Sequence, residues 1–170
     1  MNKLAQDTGS NAAFQDEIVN FPTQDFSTSS IFPQHRVRVA NQTSAWMRDL
    51  EVRFNDIVGL PVGWDGYRGV PVAFNTAQFA AQIIERLYVK GVPSPSIVPG
   101  SDGSMQIEWH VNNFDVELDI SGPLKVVAYR LDQRTEREEE IELESDVTRV
   151  AEWVSDLLKV REPQEQIVGQ

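Results

Sequence analysis

The side chains with the most chemical capacity in this chain are gathered in one stretch. Glu108 and His110 are followed by Asp115, Glu117 and Asp119, and Glu138, Glu140, Glu142 and Glu144 come soon after. Carboxylates at alternate positions can exchange protons as acid and base, hold a hard cation beside an imidazole, or present negative charge to a basic partner. Acid–base work needs a sheltered pair with shifted proton affinities, which an open run of alternating acids does not supply. A metal site built from His110, Asp115, Glu117 and Asp119 would suit manganese, magnesium or iron. Alternate residues of one exposed strand splay apart, however, and no HxH, HxxxH or HExxH spacing occurs. The SDGS around Asp102 does not continue into a calcium-loop pattern. Presenting charge needs only a shared face, which alternation provides. Such a face either keeps a sheet soluble and its edges unattractive to other strands, or occupies a basic groove by imitating a nucleic acid's phosphate track.

Other chemistry is thinly represented. The second histidine, His35, lies in a polar stretch, and there is no G-x-S-x-G elbow, phosphate-binding glycine loop or G-x-G-x-x-G. We therefore expect no catalytic residues, no cofactor and no metal. In GWDGY the glycines at 63, 66 and 69 permit positive φ or close backbone approach, and Asp65 can close an Asx-type turn. Trp64 and Tyr67 then either cover the open end of the core or bind a partner, with Asp65 and Arg68 lending polarity. The structural alternative explains every residue type in the stretch.

The chain has 170 residues and a net charge of −11, and the charge is unevenly placed. Residues 1–101 carry eight basic and nine acidic groups, residues 102–146 four and thirteen, and residues 147–170 three and four. So acidic a chain repels nucleic acid, so direct binding to it is disfavoured. No apolar run reaches the length of about 20 residues needed to cross a bilayer, and no secretory leader is recognisable, so no membrane association is expected. With no cysteine there is no disulfide framework, and a cytosolic (cytoplasmic) location is the default expectation.

The elements that must position these groups follow from periodicity. Residues 1–40, with Phe14, Phe21, Phe26 and Phe32, show no regular period and read as a flexible or loosely docked arm. Trp46, Met47, Leu50, Phe54, Ile57 and Val58 predict a helix over about 44–58, ended by Gly59. Asn75 is the expected cap of a second helix, with Phe79, Ala80, Ile83, Ile84 and Leu87 inward. MQIEWHV, FDVELDI, LKVVAYRL and EIELE alternate as strands of an antiparallel meander, preceded by a short extended piece at Ser96–Val98. A last helix is expected from Ser145 or Asp146 to about Val160, with Trp153 at its margin and Leu158 in its stripe. The basic pair Arg36 and Arg38 is assigned to the acidic face. The expected fold is α+β, an antiparallel sheet of about four strands with two or three helices on one face, in a domain over 41–162 followed by a tail at 163–170.

LPVGWDGYRGVPV, followed by a helix and PSPSIVPGSDGSMQIEW, resembles a group of small uncharacterised bacterial and phage-associated proteins. These have a GWDGY-like turn and a P-x-x-DG-x-x-x-x-EW strand segment, and the resemblance covers roughly residues 60–120. It implies one α+β unit and no established activity. From the residues themselves we expect a non-enzymatic acidic binding protein that inhibits or sequesters a larger basic protein or nucleoprotein complex. By class-level analogy, anti-CRISPR inhibitors of phages and antitoxin or immunity proteins work this way. Glu108, Asp115, Glu117, Asp119, Glu138, Glu140, Glu142, Glu144, Trp64 and Tyr67 are the expected partner-binding residues. The alternatives are a metal-binding protein or enzyme using Glu108, His110 and Asp115, and a homo-oligomer assembled through the arm.

Overall fold

The computed structural model describes residues 36–40 and 44–159. Their order is α1 (Ala45–Val58), α2 (Phe74–Leu87), β1 (Ser96–Pro99), β2 (Met105–Val111), β3 (Phe114–Gly122), β4 (Lys125–Asp132), β5 (Arg137–Leu143) and α3 (Thr148–Asp156). The class is α+β, as alternation and helical spacing predict. The sheet has five strands where about four were expected, because the short extended piece at Ser96 pairs with β2 as a strand of its own.

In α1, Met47, Leu50, Phe54 and Ile57 recur at helical spacing and are buried. Gly59 ends the helix and donates its N–H to the Asn55 carbonyl at 3.1 Å. The start of α2 departs from expectation: Ala73 holds the N-cap position and Asn75 lies inside the first turn, accepting from the Thr76 N–H at 2.9 Å. Phe74, packed against the core, draws the helix start back past Asn75. The buried face of α2 includes Ala77, Ala80 and Ala81, whose small side chains permit close packing. The third helix is shorter than predicted. Asp146 accepts from the Thr148 N–H at 2.8 Å and from its hydroxyl at 2.6 Å, just ahead of the first turn. Trp153 is 0% exposed rather than marginal, because it shares a stripe with Val150, Val154 and Leu157 at i, i+3, i+4, i+7 spacing. Leu158, by contrast, is 37% exposed, since regular helix stops at Asp156.

The sheet is a simple antiparallel meander in which chain neighbours are sheet neighbours. Val111 pairs with Phe114 across a two-residue turn, and Asn112 and Asn113 have φ values of 54° and 63°. This left-handed pair matches the strand twist, and asparagine tolerates it better than most residues. Met105, Ile107, Trp109, Phe114, Val116, Leu118, Ile120, Val126 and Ala128 point inward and are buried under the helices. The Trp109 indole N–H is satisfied by the Pro93 carbonyl at 3.1 Å.

Residues 36–40, assigned to the arm by sequence, instead form a packed strap. Val37 is 0% exposed and Val39 is buried. Asn55 of α1 accepts from the Val37 N–H at 3.0 Å and donates to its carbonyl at 3.1 Å. Gln78 of α2 does the same for Arg38, at 3.0 Å in each direction. Glu51 accepts from the Val39 N–H at 3.0 Å, and Glu85 from that of Ala40. The strap's backbone thus bonds to helix side chains in place of a neighbouring strand. The rest of the arm, with its phenylalanines and His35, and the tail lie outside the described residues. Among the described residues no helix is long and apolar enough to cross a membrane.

Candidate functional site

Register decides which side chains meet on the face turned away from the helices. Glu108 of β2 lies opposite Glu117 of β3, which lies opposite Tyr129 of β4, which lies opposite Glu140 of β5. The row beside it runs Gln106, Asp119, Val127, Glu142, and the one beyond runs His110, Asp115, Leu131, Glu138. Glu108, Asp115, Glu117, Asp119, Glu138, Glu140 and Glu142 therefore share one face. They form two acidic flanks, one on β2 and β3 and one on β5, on either side of Val127, Tyr129 and Leu131 of β4. Strands about 4.8 Å apart put the acids of β3 and β5 about 10 Å from each other. Glu144, just past β5, is exposed and lines a cavity of about 640 Å³ with Asp102, Asp119, Lys125 and Glu142.

Within the β2–β3 flank the side chains converge, although the spacing along a single strand predicts that they splay. His110 Nδ1 is 2.8 Å from Asp115 Oδ1, its Nε2 is 3.4 Å from Glu108 Oε2, and Gln133 donates to the other Asp115 oxygen at 2.7 Å. The contact with Asp115 is the main cause of a raised His110 pKa; burial opposes it and Glu108 adds to it. For Asp115, partial burial pushes upward, but the hydrogen bonds from Gln133 and His110 outweigh it and hold the carboxyl below its usual range. Glu117 and Asp119 are shifted upward, first by partial burial and then by the charge of Glu108. Gln106 donates to Glu117 at 3.2 Å. Glu108, His110 and Asp115 largely satisfy one another, and among the described residues no three His, Asp or Glu side chains are disposed to hold one metal ion.

The GWDGY loop is closed by its own backbone. Gly63 donates to the Gly69 carbonyl at 2.8 Å, and one Asp65 oxygen accepts from the N–H groups of Tyr67 and Gly69 at 2.9 Å each. These bonds, that from Tyr67 first, lower the Asp65 pKa. Gly63 and Gly66 have φ values of 77° and 84°, and a Cβ on Gly69 would stand 2.9 Å from the Asp65 carboxyl and the Trp64 indole nitrogen. Trp64 is half-buried, with its indole N–H 3.3 Å from the Val70 carbonyl, and lines a cavity of about 280 Å³ with Arg53, Ile57, Leu60 and Pro99. Tyr67 is 89% exposed. Tyr67 therefore does not cover the core, and Trp64 stands half-buried beside Ile57 and Leu60 at the rim of that cavity. Val70 donates to the Ser101 carbonyl at 2.8 Å, which joins the loop to the β1–β2 turn.

Two further placements differ from the sequence reading. Arg38 pairs with Glu51 of α1 at 3.8 Å instead of the acidic face, because the strap carries it along the helices. The stripe Val127, Tyr129, Leu131 went unassigned, although the alternation in KVVAYRL, with Val126 and Ala128 inward, marks it as outward-facing. No protein-family model, curated protein or solved structure matches the chain, so the geometry of this face carries the functional reading.

Proposed function

We propose that the protein is a non-enzymatic acidic binding protein that inhibits or sequesters a larger basic protein, such as one that itself binds nucleic acid, through the outer face of its sheet. The observation that carries this reading is the stripe Val127, Tyr129, Leu131 flanked on both sides by carboxylates. Apolar contact at the centre with charge around it is how binding patches are commonly composed. The acids steer a basic partner and fix its orientation, while the stripe supplies contact that excludes water. Glu117 and Asp119 are partly desolvated beside Glu108, so a lysine or arginine brought among them relieves repulsion that the free protein carries. The same logic suits a surface standing in for a phosphate track, as in phage counter-defence inhibitors and antitoxin or immunity proteins.

The test is capture from the native host by the immobilised protein, compared with a variant carrying Glu138→Lys, Glu140→Lys, Glu142→Lys and Glu144→Lys. The expected result is a basic protein retained by the wild type, released by salt, and lost in the variant while the circular dichroism spectrum is unchanged. Capture that is indifferent to the four reversals would reject the surface.

A further inference from the structure

We propose that β5 is a docking edge, onto which a partner adds an extended segment of alternating basic and apolar residues as a further strand of the sheet. The proposal rests on the reading above for the sign of the partner's charge, and adds the manner in which the partner is held.

The meander has two edges, and they are built differently. At one edge β1 has four residues, ends in Pro99, and is preceded by Pro93 and Pro95. Proline has no N–H to give a new neighbour and the strand is short, so that edge is a poor template. At the other edge β5 has seven residues without proline or glycine, and every one of them pairs with β4 with no register break. Among the described residues no strand or backbone hydrogen bond lies on its outer side. Every second residue of such an edge directs its N–H and C=O away from the sheet, a ready template for another strand. Among the described residues, bulges, prolines and covering segments, the usual guards of an edge, are missing from β5, and charge is the guard that remains.

On the outer face that charge has one sign, and this selects the occupant; Arg137, the one base of β5, falls on the inner side beside Glu139 at 3.8 Å. Glu138, Glu140 and Glu142 stand in a row on the outer face, exposed. On the inner face Glu139 is held by Arg149 at 2.6 Å, Ile141 is half-buried against the core, and Leu143 is buried. A strand laid along β5 would therefore meet carboxylates on one face and the margin of the apolar core on the other. Lysine or arginine on the outer side and an aliphatic residue over Ile141 satisfy both. A second copy of this chain, pairing edge to edge, would set glutamate beside glutamate, which opposes association.

The experiment uses the full chain labelled with nitrogen-15 and a peptide of about eight alternating lysine and valine residues, roughly the length β5 can pair. A second peptide has the same side chains with every backbone nitrogen methylated, so it keeps its charge and cannot form a strand. The expected result is slowed amide hydrogen exchange at alternate β5 residues and affinity at least about tenfold weaker for the methylated peptide. Equal affinity for the two peptides would overturn strand addition while leaving the acidic surface standing. Binding of neither would also overturn it. As a charge swap, Glu138→Lys, Glu140→Lys and Glu142→Lys together should reverse the preference toward a glutamate–valine peptide, and an unchanged preference would refute the role given to the row.

Discussion

His110 shows how a single residue changes the properties of a whole face. Its imidazole sits between Asp115 and Glu108, and its pKa is raised, chiefly by Asp115. A raised folded-state pKa gives stability that is complete below the ordinary histidine value of about 6.5 and is lost as pH rises through the folded value. Asp115, held below its usual range, contributes above that range and loses its contribution as pH falls through its folded value. The pair therefore stabilises most in mildly acid solution. The stability of the wild type to urea should fall between about pH 6 and pH 8 relative to His110→Gln, by under about 1 kcal/mol because the imidazole is half exposed; parallel curves would refute the coupling. In the GWDGY loop, Gly69→Ala should cost about 1–3 kcal/mol, since the added methyl collides with groups that Asp65 holds in place. Tyr67→Ala should leave the melting temperature within error while Trp64→Ala lowers it, and calorimetry of the three variants checks the set. The residue types of this loop were legible as a turn. The exposure of Tyr67 was not, because residue types within a turn do not say which side chain leaves the surface.

At the scale of elements, legibility followed the length and regularity of each pattern. Strands β2 and β3 alternate over seven and nine residues and could be read from sequence, whereas β1 has four residues and earns its place only by pairing with β2. The convergence of Glu108, His110 and Asp115 was hidden for the same reason: it depends on cross-strand register, which spacing along one strand does not contain. The strap at 36–40 was missed because its partners, Asn55, Gln78, Glu51 and Glu85, are side chains on distant helices, and such bonds leave no local period. Asn55→Ala should strand the Val37 N–H and carbonyl and cost about 1–3 kcal/mol, whereas Asn55→Asp, which keeps the acceptor but sets a carboxylate oxygen against the Val37 and Glu51 carbonyls, should cost more. Chemical denaturation distinguishes them, and equal stability of Asn55→Ala and wild type would show that the strap adds nothing to the fold.

For the whole molecule, seven of the acids that residues 102–146 concentrate come to lie on one sheet face once the strands pair. Such crowding opposes the compact state, and added salt screens it. Moderate sodium chloride should therefore raise the thermal midpoint while weakening partner capture, two opposite responses from one set of charges. A midpoint that falls with salt would show that favourable ion pairs such as Arg130–Asp156 at 2.9 Å outweigh the repulsion. The order of the sheet also bears on how the chain is made. Each strand pairs with the one synthesised just before it, so only short loops must close and no strand waits for a distant partner. During translation the edge of β4, beside Val127, Tyr129 and Leu131, lies open only until residues 133–143 have been added. At about 5–20 residues per second that interval is roughly one second, a brief window in which the nascent sheet could pair with a wrong strand before the acidic one seals it.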